Sequence, residues 1–381
     1  MGGRTGAGGD HAAGVSVADT LVRLARPPGS RDAGTLLAGL ALGVGAGVAI
    51  ERAVMRTELR RADPEAAEPF GRLPGRPAAV TSWDGTRLHV EQLAPAGEAA
   101  VPCLVFAHGL ALRGDAWHYQ RRDLPASFRC VFADTRGHGR SGPAAAGGYS
   151  LEALARDLHA VLGWAGERVV LVTHSMSGMA ALTLAKLEPE RFAERVAGLV
   201  LVSTTYADAL ESMVAALAAG GGDRVQRALY LAGERLAGQD PRWGYRLRRR
   251  GSDVGYLGTR LFGFGPGPSP SQVAWTDRLL ARTDADVWVQ VMPAVLGFDL
   301  GEVLPHVRVP ALVVAGDADR LTPIASARHM AGRIPGARLV VLPGAGHMAF
   351  LEAHEPFNRE LAAFARQAGA PAGGPGSLRR P

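Results

Sequence analysis

"VVLVTHSMSGMAAL", Val169 to Leu182, is the stretch on which the fold turns. Val169 to Val172 form an apolar run rich in β-branched side chains, the composition of a buried strand. From Met176 the residues are small or apolar and suit a helix packed closely on a neighbour. Little chain is left between the two, so the backbone must turn sharply, with Ser175 at the corner. Where a strand and a helix cross that closely, glycine is favoured two residues to either side of the corner. Those positions hold Thr173 and Ser177. Threonine is at home at a strand end, Ser177 adds only a small hydroxyl, and Gly178 keeps the first helical turn slim.

Outward from this stretch the pattern repeats. "CLVFAHG", "RCVFADT", "VAGLVLVST" and "PALVVAGD" are short, nearly continuous apolar runs, as expected of strands buried on both faces of a parallel sheet. "AVTSWDGTRLHVEQL" reads as two strands joined through Asp84-Gly85. Helical patterns alternate with the strands, notably "SLEALARDLHAVLGWAG", for which Ser150 is the expected N-cap. The class is therefore α/β, a mostly parallel central sheet with helices on both faces.

The alternation stops after Thr204 and resumes at Val309. The expected organisation is a core over residues 76–205, a helical cap inserted at 206–300, the rest of the core at 301–368, and a low-complexity tail at 369–381. Residues 1–75 form an N-terminal extension. Within it "AGTLLAGLALGVGAGVAI", 33–50, is uncharged and close to the roughly 20 residues that span a bilayer. Gly39, Gly43 and Gly47 repeat a small-xxx-small spacing. Two readings stay open: membrane contact through 33–50, or a glycine-rich helix on the catalytic domain of a cytoplasmic protein.

The formal charge of +6 does not point to nucleic acid. The basic residues are almost all arginine, with Lys186 the sole lysine, and acidic residues are interleaved with them along most of the chain. Arg246, Arg248, Arg249 and Arg250 read as a solvated face. Cys103 and Cys130 sit at the start of apolar runs and read as small core residues, not as a disulfide framework or metal site. "GHGRSG", Gly137 to Gly142, fits a dinucleotide fingerprint by spacing, but Pro143 and "AAAGG" follow where a helix should begin. It is read as a scaffold turn, fixed by Asp134 and Arg136.

Three polar residues stand just past strand ends, where open parallel sheets bind ligands: Ser175, Asp319 and His347. Asp317 competes with Asp319 for the acid position. With "FAHGL" at 106–110, "DTRGHGRSG" at 134–142, "THSMSG" at 173–178, and "GDADRLTP" with "GAGHMAFLEAHEPF", the chain from about Arg76 to Gln367 resembles the α/β-hydrolase family. The resemblance is to capped serine esterases, lipases and non-haem haloperoxidases.

The resemblance implies a catalytic triad in the order Ser, Asp, His, with Ser175 as nucleophile, His347 as base and Asp319, favoured over Asp317, as the acid that orients it. It implies an oxyanion hole from the backbone N–H groups of Leu110 and Met176, with His108 and Gly109 shaping the loop and His174 structural. A serine at the corner argues against the dehalogenases and epoxide hydrolases of this fold, which use aspartate there. The expected activity is cleavage of carboxylic esters, lipid-like acyl esters among them, through an acyl-enzyme, without a cofactor or metal. The alternatives are a cofactor-free haloperoxidase or perhydrolase on the same triad, and a non-catalytic membrane-associated binding protein. The expected partner is a small-molecule ester.

Overall fold

The computed structural model describes residues 60–95, 100–145, 148–166, 168–207 and 253–369, with Met55 and Thr57. The chain divides into two units, Met1–Val54 and Met55–Pro381, and every described residue belongs to the second. The apolar run 33–50, the helical patterns between 208 and 252 with Tyr230, Tyr245 and the arginines at 246–250, and the tail from 370 lie outside the described residues. Among the described residues no helix is long and apolar enough to cross a membrane.

Eight strands form one sheet: β1 (Arg76–Thr81), β2 (Arg87–Leu93), β3 (Ala100–Ala107), β4 (Phe128–Ala133), β5 (Val169–His174), β6 (Val196–Val202), β7 (Ala311–Gly316) and β8 (Arg338–Leu342). Their spatial order is β1-β2-β4-β3-β5-β6-β7-β8. β1 and β2 are an antiparallel hairpin, and β2 meets β4 antiparallel. All later pairings are parallel. The hairpin turn spans Ser82 to Thr86, longer than a two-residue Asp-Gly turn, closed by the Ser82 N–H bonding the Thr86 carbonyl at 2.9 Å.

The apolar runs are continuous because both sheet faces are covered. Residues of β5 alternate sides: Val169 and Leu171 join one core cluster, Val170 and Val172 the other. β3 and β7 split in the same way. Burying each such Val, Leu or Phe contributes about 1.5–3 kcal/mol. One face carries α2 (Leu151–Ala165), α3 (Met176–Leu187) and α8 (Ile324–Arg333); the other carries α1 (His118–Asp123), α9 (Ala349–Glu352) and α10 (His354–Ala368). The remaining α-helices among the described residues are α4 (Pro189–Arg195), α5 (Asp253–Gly263), α6 (Pro270–Leu280) and α7 (Ala285–Leu296). Ser150 caps α2 by accepting the Ala153 N–H. Cys103 and Cys130 are buried free thiols.

α5, α6 and α7 fall within the stretch expected to form a cap. The "GFGPGPSPS" break separates α5 from α6, and Ser269 with Gln272 forms a reciprocal capping box at the new start. Phe264 and Trp275 are buried in the second core cluster, so these two aromatics pack the fold. An arm of turns before β1, residues 60–75, also holds α6. Phe70 stacks on Trp275 with ring centroids 6.1 Å apart, and the Ser269 hydroxyl donates to Glu65.

"DTRGHGRSG" is a scaffold turn, as expected. Asp134 accepts the Gly114 and Arg140 N–H groups at 2.7 and 2.9 Å. Arg136 is fully buried and donates to Asp157 at 2.6 and 2.7 Å and to Asp84 at 2.8 Å.

Candidate active site

Ser175 stands at the junction of β5 and α3 with φ 52° and ψ −120°, a conformation L-residues rarely adopt. Among the described non-glycine residues, positive φ occurs at Ala111, Ser175 and Ser203. All three lie in the connections leaving β3, β5 and β6, so the strain, about 1–3 kcal/mol at each, gathers at one end of the sheet. Tight anchoring sustains it. The Ser175 N–H donates to the Val202 carbonyl at 3.0 Å, and its own carbonyl accepts the Thr204 hydroxyl at 2.7 Å.

The two hydroxyl residues beside the corner are both engaged. Thr173 Oγ1–H donates to the Val200 carbonyl at 2.9 Å, within the sheet. Ser177 Oγ–H donates to the His108 carbonyl at 2.5 Å, tying α3 to the loop after β3. The position that requires glycine is the next one: a Cβ on Gly178 would lie 2.6 Å from Thr204 Oγ1.

The loop after β3 presents the second element. His108 is buried, and desolvation lowers its pKa to about 4, keeping it neutral. Its tautomer follows from its partners: Nδ1–H donates to the Gly109 carbonyl at 2.8 Å, and Nε2 accepts the Thr135 N–H at 3.1 Å. The Gly109 carbonyl also accepts the Leu112 N–H at 3.2 Å. In a trans peptide the N–H points opposite to the C=O, so anchoring the Gly109 carbonyl sets the direction of the Leu110 N–H. Neither the Leu110 N–H nor the Met176 N–H meets an acceptor among the described residues. A Cβ on Gly109 would lie 3.0 Å from Ser175 Cβ, so only glycine lets this loop come so near the corner. Thr283, between α6 and α7, donates its hydroxyl to the Ala111 carbonyl at 3.0 Å.

Asp319 and His347 come from the connections after β7 and β8 and meet directly, Asp319 Oδ2 to His347 Nδ1 at 3.0 Å. Burial would raise the Asp319 carboxyl. The positive charge and hydrogen bond of His347 outweigh it, together with hydrogen bonds from Thr322, and hold the carboxyl below its ordinary range. Thr322 supplies its N–H at 2.9 Å and its hydroxyl at 2.7 Å, and Leu321 a further N–H at 2.9 Å. Asp317, the rival, bonds the Gly344 N–H at 2.6 Å on the surface and does not approach the imidazole.

His174 links the two halves. Desolvation first, and the charge of His347 second, drive its pKa well below the ordinary value, so it is neutral. Its Nε2–H donates to the His347 carbonyl at 3.1 Å, with the ring centroids 4.7 Å apart. Ser175 Oγ makes no hydrogen bond to a described residue. Thr322 lies within "GDADRLTP", but nothing in the sequence near Thr204 marks it as the partner of the Ser175 carbonyl.

A serine held in strained backbone at a strand–helix corner, beside a glycine loop, with an Asp–His pair in the connections after the last two strands, is the arrangement of the α/β-hydrolase class. The family model for the alpha/beta hydrolase fold matches residues 102–354, and the chain belongs to that family. It is 28% identical over 266 residues to a putative carbamate hydrolase, RutD, of Caulobacter sp. (strain K31), covering 68% of this chain and 89% of that one. It is 30% identical over 266 residues to the non-heme chloroperoxidase CPO-A1 of Kitasatospora aureofaciens, covering 68% and 91%. A thermophilic esterase from Thermogutta terrifontis superposes with a TM-score of 0.59 at 24% identity, over 77% of this chain and 99% of that one, which speaks to the fold.

Proposed function

We propose that the protein is a serine hydrolase of carboxylic esters, working through an acyl-enzyme. The observation that carries this is the 3.0 Å bond from His347 Nδ1–H to buried Asp319, because it fixes the tautomer a general base needs. With Nδ1 carrying the proton, Nε2 keeps its lone pair and takes the Ser175 proton as Oγ attacks the ester carbonyl. Asp319, ionised across the neutral range, stabilises the imidazolium that forms. The unengaged N–H groups of Leu110 and Met176 receive the oxyanion, each such donor supplying about 3 kcal/mol of transition-state stabilisation. The imidazolium then protonates the leaving alcohol, and water repeats the sequence to release the acid.

In this reading residues 206–300 cover the strand ends as a cap, and Thr283 is one of its contacts with the oxyanion loop. Residues 1–75 are the extension through which the protein contacts a membrane if 33–50 inserts, and 369–381 are a tail outside the core. The carbamate hydrolase relatives make carbamates a second substrate class to test, since the same acyl transfer serves both. The chloroperoxidase relative favours one alternative, perhydrolase chemistry on the same serine.

The test uses p-nitrophenyl esters of increasing chain length, with Ser175→Ala and fluorophosphonate labelling. Turnover and labelling should both vanish in the variant. Undiminished turnover there would falsify the assignment. Peroxide-dependent halogenation that requires a short carboxylic acid would favour the perhydrolase, and a wild-type protein that never labels would favour a binding role.

A further inference from the structure

The backbone on either side of His347 is fastened to a distant segment of the chain. The Gly346 N–H donates to Glu352 Oε1 at 2.7 Å, and the Gly265 N–H, just past the end of α5, donates to Glu352 Oε2 at 2.8 Å. The Met348 N–H donates to the Gly263 carbonyl at 2.8 Å. Contact is backbone against backbone: a Cβ on Gly265 would lie 1.9 Å from the Gly344 carbonyl oxygen, and one on Gly346 would lie 2.4 Å from the Phe264 carbonyl carbon. Glu352 is thus a half-buried carboxylate whose two oxygens accept two N–H groups, one from the His347 turn and one from the segment after α5.

We propose that Glu352 is a positioning residue for the base, setting His347 through Gly346 while locking the segment after α5 to the same turn. This rests on the reading of His347 as general base. Only the carboxylate offers an acceptor to both N–H groups; protonation puts a donor on one oxygen and loosens one of the two bonds. Burial, more than the neighbouring Asp319, pushes this carboxyl up to about 7. The charged groups acting on it are Asp319 after β7 and Arg260 on α5. Arg260 is committed nearby, donating to the Gly265 and Pro266 carbonyls at 2.7 and 2.9 Å. The clamp therefore engages as pH rises through neutrality, over the range in which an imidazole base becomes competent.

The test is steady-state ester kinetics of Glu352→Gln, with active sites counted by fluorophosphonate titration so that misfolded protein does not enter kcat. Glutamine keeps the shape but sets an NH2 against one N–H. The expected result is a fall in kcat per active site of about 10- to 100-fold, as for a catalytic group displaced by a fraction of an ångström. KM should stay within about threefold. The acid limb of kcat should change from a steep, more-than-one-proton rise to a one-proton rise. Should Glu352→Gln not fold, Glu352→Asp keeps the charge but reaches only one N–H, and should show a smaller kcat loss with the steep limb retained. A kcat per active site within about twofold of wild type, with an unchanged acid limb, in whichever variant folds, overturns the proposal. If Ser175→Ala or His347→Ala keeps full turnover, the serine reading fails first, and the two failures are told apart.

Discussion

The serine corner and the histidine turn are held by different means. Ser175 is fixed by the elements that create it: a β5–β6 ladder bond, the Thr204 hydroxyl from the neighbouring strand end, and the tight passage of Gly178 against Thr204. His347 follows the edge strand β8, and its turn is held by residues 263–265 and the imidazole of His174, brought from elsewhere in the chain, and by the half-buried Glu352 of the helix that follows. The sheet and its strand ends suffice to hold the Ser175 corner, whereas the His347 turn also leans on the segment after α5.

The largest effect that can break this comparison is loss of the corner hydroxyl itself. Ser175→Ala should lower ester turnover by about 10⁴-fold or more while leaving the melting temperature near wild type, checked by kinetics beside thermal unfolding. Next come the two glycine contacts. Gly346→Ala drives a Cβ into the backbone of Phe264 and Gly265, which cannot swing aside, and should cost about 3 kcal/mol or more in chemical denaturation. Gly178→Ala meets the single side chain of Thr204 and no backbone atom within the three nearest contacts, and should cost less, about 1–2 kcal/mol. Equal costs would erase the distinction between the two mounts.

Stability against pH gives the third measurement. Glu352 has a folded pKa of about 7 against an ordinary 4.5, so its burial favours the protonated form. That contribution, roughly 3 kcal/mol, is full below pH 4.5 and is lost as pH rises through 7. Glu352→Gln should remove this slope, so the stability difference, variant minus wild type, should grow from pH 5 to 8. A constant difference would mean that Glu352 titrates normally. Asp319 works in the opposite sense: its lowered pKa contributes above the ordinary carboxylate range and is lost only as pH falls below it.

The smallest effects belong to the two hydroxyls beside the corner. Ser177→Gly cuts the bond to the His108 carbonyl and should slow turnover by about five- to tenfold, since one hydrogen bond is worth about 1 kcal/mol. Thr173→Gly removes a bond confined to the sheet and should lower stability by a similar energy with turnover unchanged. Equal rates in both variants would show that Ser177 merely fits.

Much of this was legible in the chain before folding. Strand and helix alternation, the Ser150 cap and the hairpin follow from local patterns: burial on both sheet faces writes itself as unbroken apolar runs, and a cap or turn is marked by its own residues. The preference for Asp319 over Asp317 rests on the resemblance to the α/β-hydrolases. The arm before β1 did not show itself. Its contacts pair Phe70 with Trp275 and Glu65 with Ser269, some 200 positions apart, and no periodicity marks such pairs.

The same division runs through the site. Ser175, Asp319 and His347 stand out in the sequence because each follows one of the strands β5, β7 and β8, whose parallel order carries these three strand ends to one end of the sheet. That Ser177 clasps the His108 carbonyl, that His174 bonds the carbonyl of His347, and that Glu352 joins Gly346 to Gly265 are matters of tertiary packing. A hydroxyl, an imidazole or a carboxylate carries no mark of its distant partner. Only the packed chain decides which buried N–H or C=O it must satisfy.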